Sequence, residues 1–231
     1  MLSILRSTSS SRCCSVSFMP RPLSHVTKAT GYIVGLGNLV NARPLLAQSM
    51  MNVISSWAFA EAEIGASLVD ILKNDARGVI DEFINLRSLP RQKDLLLEHG
   101  AKHLHSDDLE ILQALLMMLS SGQRERNRLV HGLSGFSISV PECVVIVDTR
   151  KRLSMLVDMR DNDLSKELDA KPIAYFQSDF DRMYELASNI CRGFTLFKVI
   201  LHHPTKRAQL LERLREMPQF RIAMSRIQAD H

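Results

Sequence analysis

The stretch DDLEILQALLMMLSSGQRERNRLVHG, residues 107–132, is the longest helical pattern in the chain and decides its fold. Its apolar residues recur at spacings of three and four, which is the pattern of an amphipathic helix. Asp107 with Glu110 three residues later is a helix-start signal, and Gly132 predicts a left-handed C-terminal cap. The sequence therefore predicts a helix of about 37 Å, long enough to cross a small domain.

Similar periodicity predicts further helices on both sides of this one. Apolar positions between Leu45 and Lys73 form one stripe, and shorter helices are expected at 75–86 and from Pro90 to about 101. A last long helix is expected at 179–201, with Ser178 as N-cap and Pro204 beyond its end. A short amphipathic helix, TKRAQLLERLRE, follows, and the last dozen residues are expected to fray.

The segment after Gly132 has the composition of β-structure. CVVIVD (143–148) and LSMLVD (153–158) flank TRKR and predict a hairpin, with a third short strand at PIAYF (172–176). The predicted fold class is therefore mainly α, an up-and-down helical bundle with a small β-hairpin insertion between the 107–132 helix and the last long helix.

Charge is distributed unevenly along the 231 residues, which carry a net charge of +4. Residues 1–60 hold five basic residues and no acidic one, so the remainder is close to neutral. The folded part thus has no global positive field to attract nucleic acid, and such a contact would need a local patch. No uninterrupted apolar run approaches the length of a membrane span, which predicts a soluble, cytoplasmic protein without membrane contact.

Three parts of the chain are distinguished. Residues 1–40 are rich in Ser and Arg near their start and are interpreted as a disordered tail, a transit-like segment or an over-extended start with translation beginning at Met19. Residues 41–203 are expected to form the helical domain, with the hairpin at about 140–177. Residues 204–231 are expected to supply a short helix and a tail.

Metal and cofactor sites are not predicted. The four cysteines show no CxxC spacing and are interpreted as reduced thiols. His99 and His103 lie one turn apart, but without a third ligand two solvated histidines are expected. The chain also lacks the phosphate-binding loop of NTPases, the nucleophile elbow of α/β-hydrolases and the zincin motif.

A helical wheel divides the polar end of the long helix. With Leu116 as reference, Leu109, Leu112, Leu119 and Val130 lie within about 60° of it. Gln123 and Asn127 then continue the middle of this stripe, flanked by Arg126 and His131, whereas Arg124, Glu125 and Arg128 face outward. Polar groups on an inward face need partners or line a cleft, while basic residues and a histidine at a helix C-terminus also have a purely stabilising role.

Glu61 interrupts the apolar stripe of the first long helix, one turn after Trp57. On the core side its carboxylate needs a cationic or hydrogen-bonding partner, or must stay protonated. At the edge of the stripe it reaches water instead, and both alternatives stay open from the sequence.

The sequence RNRLVHG resembles the Arg-polar-x3-His signature of the HEPN superfamily, the helical nucleotide- and RNA-associated domains of prokaryotic toxins, defence systems and some eukaryotic RNases. The resemblance covers about residues 45–202 and includes the element order, with WAFAE on the first helix and the motif late in a long middle helix. The hairpin and the C-terminal extension depart from the minimal bundle of that family.

The resemblance implies a site and a partner. Arg126 and His131 match the catalytic pair and Asn127 the polar residue beside the arginine, with Gln123 as a further orienting group and Glu61 pairing Arg126. The family implies a homodimer with a composite cleft, RNA as the substrate and an antitoxin or other protein partner in a toxin or phage-defence context. The expected activity is metal-independent endoribonucleolytic cleavage by 2′-hydroxyl attack.

Two other hypotheses remain beside the nuclease. One is an inactive HEPN-like module that binds RNA, nucleotide or a protein. The other is a helical interaction protein without a site, in which case the inward polar cluster is exposed.

Overall fold

A computed structural model of the chain describes residues 20–28, 31–72, 76–150, 153 and 172–229. Eight α-helices of at least seven residues lie within these residues. They are α1 (Leu36–Ala42), α2 (Pro44–Leu72), α3 (Ala76–Asn85), α4 (Leu89–His103), α5 (Ser106–His131), α6 (Gln177–His202), α7 (Arg207–Arg215) and α8 (Pro218–Ala229). The predicted mainly helical fold is confirmed, and the helices expected at 45–73, 75–86, 90–101, 107–131 and 179–201 lie within a few residues of the observed ones.

The helical core is built around α2, α5 and α6. The α2–α6 contact is the most extensive helix pair, and α5 packs against α2, α4, α6 and α8. Trp57 of α2 and Phe194 and Phe197 of α6 are fully or almost fully buried in this core. No helix in the described residues combines the length and apolar character that a membrane span requires.

A five-stranded antiparallel sheet covers one end of these helices. Its strands are β1 (Arg21–Pro22), β2 (Tyr32–Val34), β3 (Leu133–Ser137), β4 (Cys143–Val147) and β5 (Ile173–Phe176), in the order β1-β5-β4-β3-β2. All five residues of β4 are buried. Because β3 follows α5 directly and β5 leads directly into α6, the sheet joins the two helices at their adjacent ends.

The sheet differs from the predicted hairpin. The strands expected at CVVIVD and PIAYF are present, but β4 pairs with β3 and β5. The expected partner LSMLVD lies outside the described residues except for Leu153, which is helical. The strand LSGFS escaped prediction because it directly continues the helical stretch and contains a glycine.

Part of the segment 1–40 belongs to the fold, which corrects the prediction that these residues lie outside the folded domain. β1 pairs with β5, β2 pairs with β3, and α1 begins at Leu36, while residues 1–19 lie outside the described part. Strands of two and three residues are too short to show a hydrophobic period, so only their partners reveal them.

Gly132 ends α5 in a way the sequence did not indicate. Its φ of −82° and ψ of 157° are extended, so the predicted left-handed cap is wrong. A Cβ at this position would overlap the Ile146 side chain and the Arg128 carbonyl. Glycine is required here because α5 turns into β3 against β4, and not because of its φ angle.

The two helix-start signals also function differently from the prediction. α5 begins at Ser106 without a side-chain cap, and the buried Asp108 instead accepts a hydrogen bond from Arg207, the first residue of α7. At α6 the predicted cap Ser178 lies inside the helix, and Asp179 accepts the Phe176 N–H at 3.0 Å.

The C-terminal residues are ordered, whereas fraying was expected. α8 places Phe220, Ala223 and Ile227 in the core, where they pack against α5. Pro218 at the helix start separates α7 from α8, so the two short amphipathic helices were easily interpreted as one helix and a tail.

We expect Gly122→Ala to lower the free energy of unfolding by about 1–3 kcal/mol, the usual range for overpacking a core. A Cβ at Gly122 would overlap the rigid ring of Trp57, which is 1% exposed. Urea unfolding followed by circular dichroism measures the effect.

Gly78→Ala in α3 is the matched control, because a Cβ at Gly78 would meet nothing within 4 Å. Helix propensity predicts that this variant is more stable by up to about 1 kcal/mol. Equal stability changes in the two variants would contradict the proposed contact.

Candidate functional site

The rotation of α5 about its axis decides which motif residues face inward. The centre of its buried face runs through Leu115, Gly122 and Leu129, which are spaced by seven residues. This centre lies about 120° from the Leu116 direction used as the sequence reference. The reason is that α5 is covered on two sides, by α2 and α6 and also by α8, which was not predicted to be a packed helix.

Arg126 lies near the new centre and is half-buried, as predicted. Its guanidinium donates from Nη2 to Glu61 Oε2 at 2.7 Å and from Nη1 to Asn127 Oδ1 at 3.0 Å. The side chains of Arg126 and Glu61 are 22% and 27% exposed, so the pair lies at the edge of the core with access to water. The predicted Glu61–Arg126 pair is thus present, and Glu61 combines the two alternatives, because it has a cationic partner and also lies at the edge of the stripe with access to water.

His131 faces the opposite side of α5, and its predicted inward position is wrong. The residue is exposed, and its carbonyl oxygen accepts a hydrogen bond from Thr149 Oγ1 at 2.7 Å. No hydrogen bond or ion pair joins the His131 ring to Arg126 or to any other residue of the described part. One chain therefore does not bring the two motif residues into contact.

Asn127 and Gln123 occupy intermediate positions. Both are partly exposed, and neither lies in the middle of the buried stripe where the wheel placed it. Asn127 supports Arg126 through the hydrogen bond described above. Gln123 makes no hydrogen bond within the described residues, so its orienting role stays a prediction.

A second polar cluster lies beside the motif. It includes Glu125 and Arg128, which were predicted to face outward. Glu125 accepts a hydrogen bond from Tyr175 of β5 at 2.6 Å, and Arg128 Nη1 lies 2.7 Å from the same carboxylate. Burial, reinforced by the hydrogen bond to Glu125, raises the pKa of the Tyr175 hydroxyl well above its ordinary value. The Glu125–Tyr175–Arg128 cluster therefore ties the end of α5 to the sheet.

No sequence signal identified this cluster. Tyr175 was assigned to a short apolar strand, and Glu125 to the solvent side of the helix. Only the register of β5, in which Tyr175 pairs with Val144 of β4, brings the phenol to the end of α5.

Metal-binding groups are not assembled in the described part of the chain. No group of three or more His, Cys, Asp or Glu side chains is positioned to hold a metal ion among those residues. His99 and His103 stack, with ring centroids 6.2 Å apart and nearly parallel planes.

Comparison with known proteins gives no relative. Neither a protein-family model nor a curated protein nor a solved structure matches this chain.

The buried phenol predicts a stability change at alkaline pH. The folded protein holds the Tyr175 proton while the unfolded chain releases it near its ordinary pKa of 10.0. The contribution of Tyr175 to the free energy of unfolding is therefore fully present below pH 10 and declines as the pH rises above this value. Tyr175→Phe lacks this titration, so the stability difference between wild type and variant should shrink between about pH 8 and pH 10.5.

Urea unfolding at the two pH values tests this expectation. Tyr184→Phe is the control, because Tyr184 is 50% exposed and its replacement should leave the pH dependence unchanged. Parallel pH profiles for wild type and Tyr175→Phe would show that Tyr175 does not keep its proton in the fold.

Proposed function

We propose that the chain is a HEPN-like, metal-independent endoribonuclease that acts as a two-fold dimer. The single observation that carries the proposal is an exposed histidine five residues after an arginine that a carboxylate holds in place. Its mainly helical fold and the order of its elements also agree with the resemblance of the RNRLVHG sequence to that superfamily.

The two motif residues have the chemistry that RNA cleavage needs. A base must take the 2′-hydroxyl proton, an acid must protonate the leaving 5′-oxygen, and a cation must stabilise the phosphorane. His131 is accessible to a substrate, and an imidazole can both accept and donate a proton, which suits this residue to either proton-transfer role.

Arg126 is suited to bind phosphate because its side chain is held in place while some of its N–H donors remain available. A guanidinium carries five N–H donors, and the bonds to Glu61 and Asn127 each use one of them. The remaining donors can bind phosphate oxygens, and Glu61 restricts the rotation of the side chain.

A second copy supplies what one chain lacks. One chain carries a single motif histidine, and in it His131 and Arg126 point to different sides of α5. A symmetric dimer presents two histidines and two arginines to one cleft, so that Arg126 of one copy serves the same phosphate as His131 of the other.

RNA cleavage in EDTA tests the activity directly. We expect His131→Ala to lower the cleavage rate by about 10²–10⁴-fold, the range for loss of a general acid or base. The products should carry 2′,3′-cyclic phosphate ends.

His105→Ala is the matched control, since His105 is exposed at the opposite end of α5. This variant should cleave like wild type. Equal activity of His131→Ala and wild type would refute the nuclease assignment.

A second candidate function, a non-catalytic binding module, is favoured by the same ion pair. Glu61 neutralises the charge of Arg126, which weakens the attraction of this arginine to phosphate. In this case the Glu61–Arg126 pair connects α2 and α5, and the role of the motif is structural.

A double-mutant cycle on Arg126→Ala and Glu61→Ala distinguishes the two roles. Partners in one ion pair are expected to show a coupling energy of about 1 kcal/mol. If Arg126 acts only as a connector, each variant lowers the free energy of unfolding while RNA binding stays unchanged. If Arg126 also contacts phosphate, Arg126→Ala weakens RNA binding more than Glu61→Ala does.

A further inference from the structure

The amine of Lys93 is held between two helices by a hydroxyl group. Its Nζ donates a hydrogen bond to Ser120 Oγ at 2.5 Å, which joins α4 to α5. The Lys93 side chain is half-buried at this contact, whereas Ser120 is exposed. Within the part of the chain that the structure describes, Lys93 forms no ion pair, so a neutral group is its polar partner.

The other four described lysines have different surroundings. Two of them pair with carboxylates, since Lys102 donates to Glu98 at 2.6 Å and Lys198 lies 2.7 Å from Glu63. The remaining two are exposed to water, Lys28 and Lys206. Both a carboxylate and water stabilise the charge of an ammonium group more effectively than a single hydroxyl does. Lys93 is therefore the described lysine whose charge receives the least support.

The Ser120 hydroxyl can hold an uncharged amine as well as a charged one. It donates its own proton to the Leu116 carbonyl oxygen at 2.7 Å, so its lone pairs remain for the Lys93 amine. Both NH2 and NH3+ groups can donate to such an oxygen. Removal from water disfavours the charged form, because an ion loses more hydration energy than a neutral group. Burial accordingly lowers the pKa of Lys93, and the nearby carboxylate of Asp94 offsets this only in part.

We infer that Lys93 is an acylation site, at which the amine takes an acyl group from a thioester. A lysine attacks a carbonyl carbon only in its uncharged form, and a desolvated amine without a carboxylate partner is activated for this attack. The half-buried side chain beside the exposed Ser120 leaves the amine within reach of a small donor. A thioester suits such an amine because a thiolate is a good leaving group, so the reaction needs no metal ion.

The transfer is complete with these two reactants. The nitrogen lone pair of Lys93 forms a bond to the carbonyl carbon of the thioester. The C–S bond then breaks, and its electron pair leaves with the sulfur. The proton lost by the nitrogen passes to the released thiolate, so the products are an amide and a thiol, with no change in oxidation state.

The acylated side chain keeps the contact between α4 and α5 and loses its charge. The amide nitrogen still carries one hydrogen, which can be donated to Ser120 Oγ, while the positive charge is removed. Acylation at this position therefore changes the surface charge with little effect on the helix packing. Lys93 is not part of the proposed nuclease site, so this inference goes beyond the proposed function and does not depend on it.

Acetylation by acetyl-coenzyme A, a thioester, tests the site. Peptide mass spectrometry measures the rate at each lysine at neutral pH, in the folded protein and in the protein unfolded by urea. We expect Lys93 to react at least about threefold faster than Lys102 in the folded protein, and this preference to disappear on unfolding. Lys102 is the internal control, because it lies on the same helix with a carboxylate partner.

Ser120→Asp tests the role of the hydroxyl partner. The new carboxylate lies beside the amine and stabilises the ammonium form, so acetylation of Lys93 should slow to about the rate of Lys102. Ser121→Asp is the matched control, since Ser121 is also exposed on α5 but donates to the Met118 carbonyl oxygen instead. This variant should acetylate at Lys93 like wild type. Circular dichroism verifies that both variants are folded.

Two results would overturn the acylation site. One is a folded wild type in which Lys93 reacts no faster than Lys102. The other is a Ser120→Asp variant in which Lys93 reacts as fast as it does in Ser121→Asp. Neither measurement uses RNA, so a failure of the acylation site and a failure of the nuclease assignment are distinguished.

Discussion

The close approach of α5 to α2 at Gly122 determines the arrangement of the candidate site. The absence of a side chain there lets the Trp57 ring lie against the backbone of α5, which fixes how that helix is rotated. One turn further along each helix, Glu61 follows Trp57 and Arg126 follows Gly122. The ion pair therefore depends on a packing contact, and the rotation that turns Arg126 inward also turns His131 outward.

The sequence was informative where burial follows a simple period. α2 and α6 each present one apolar stripe to the other, and both were predicted nearly to the residue. The Glu61–Arg126 pair was predicted only through the resemblance of RNRLVHG and WAFAE to a known motif, because the position of Glu61 in the stripe left open whether its carboxylate is paired or reaches water.

The orientation of α5 could not be read from its own residues. Nearly every position from Ile111 to Leu119 is apolar, so a helical wheel of α5 shows no well-defined centre of the apolar face. Which side of α5 is buried therefore depends on how many helices pack against it. α8, whose Phe220 is fully buried, packs against α5 and adds buried surface on one side. For the same reason Glu125 and Arg128 were assigned to solvent, although the sheet covers them through Tyr175.

The order of the strands has a consequence for how the chain folds. β1 lies at residues 21–22 but pairs with β5 at 173–174, and β2 at 32–34 pairs with β3 at 135–137. Pairings so distant along the chain carry a high loop-closure cost and form late. During synthesis the first strand therefore has no partner until about three quarters of the chain has been made, and the helices between them must carry the early folding.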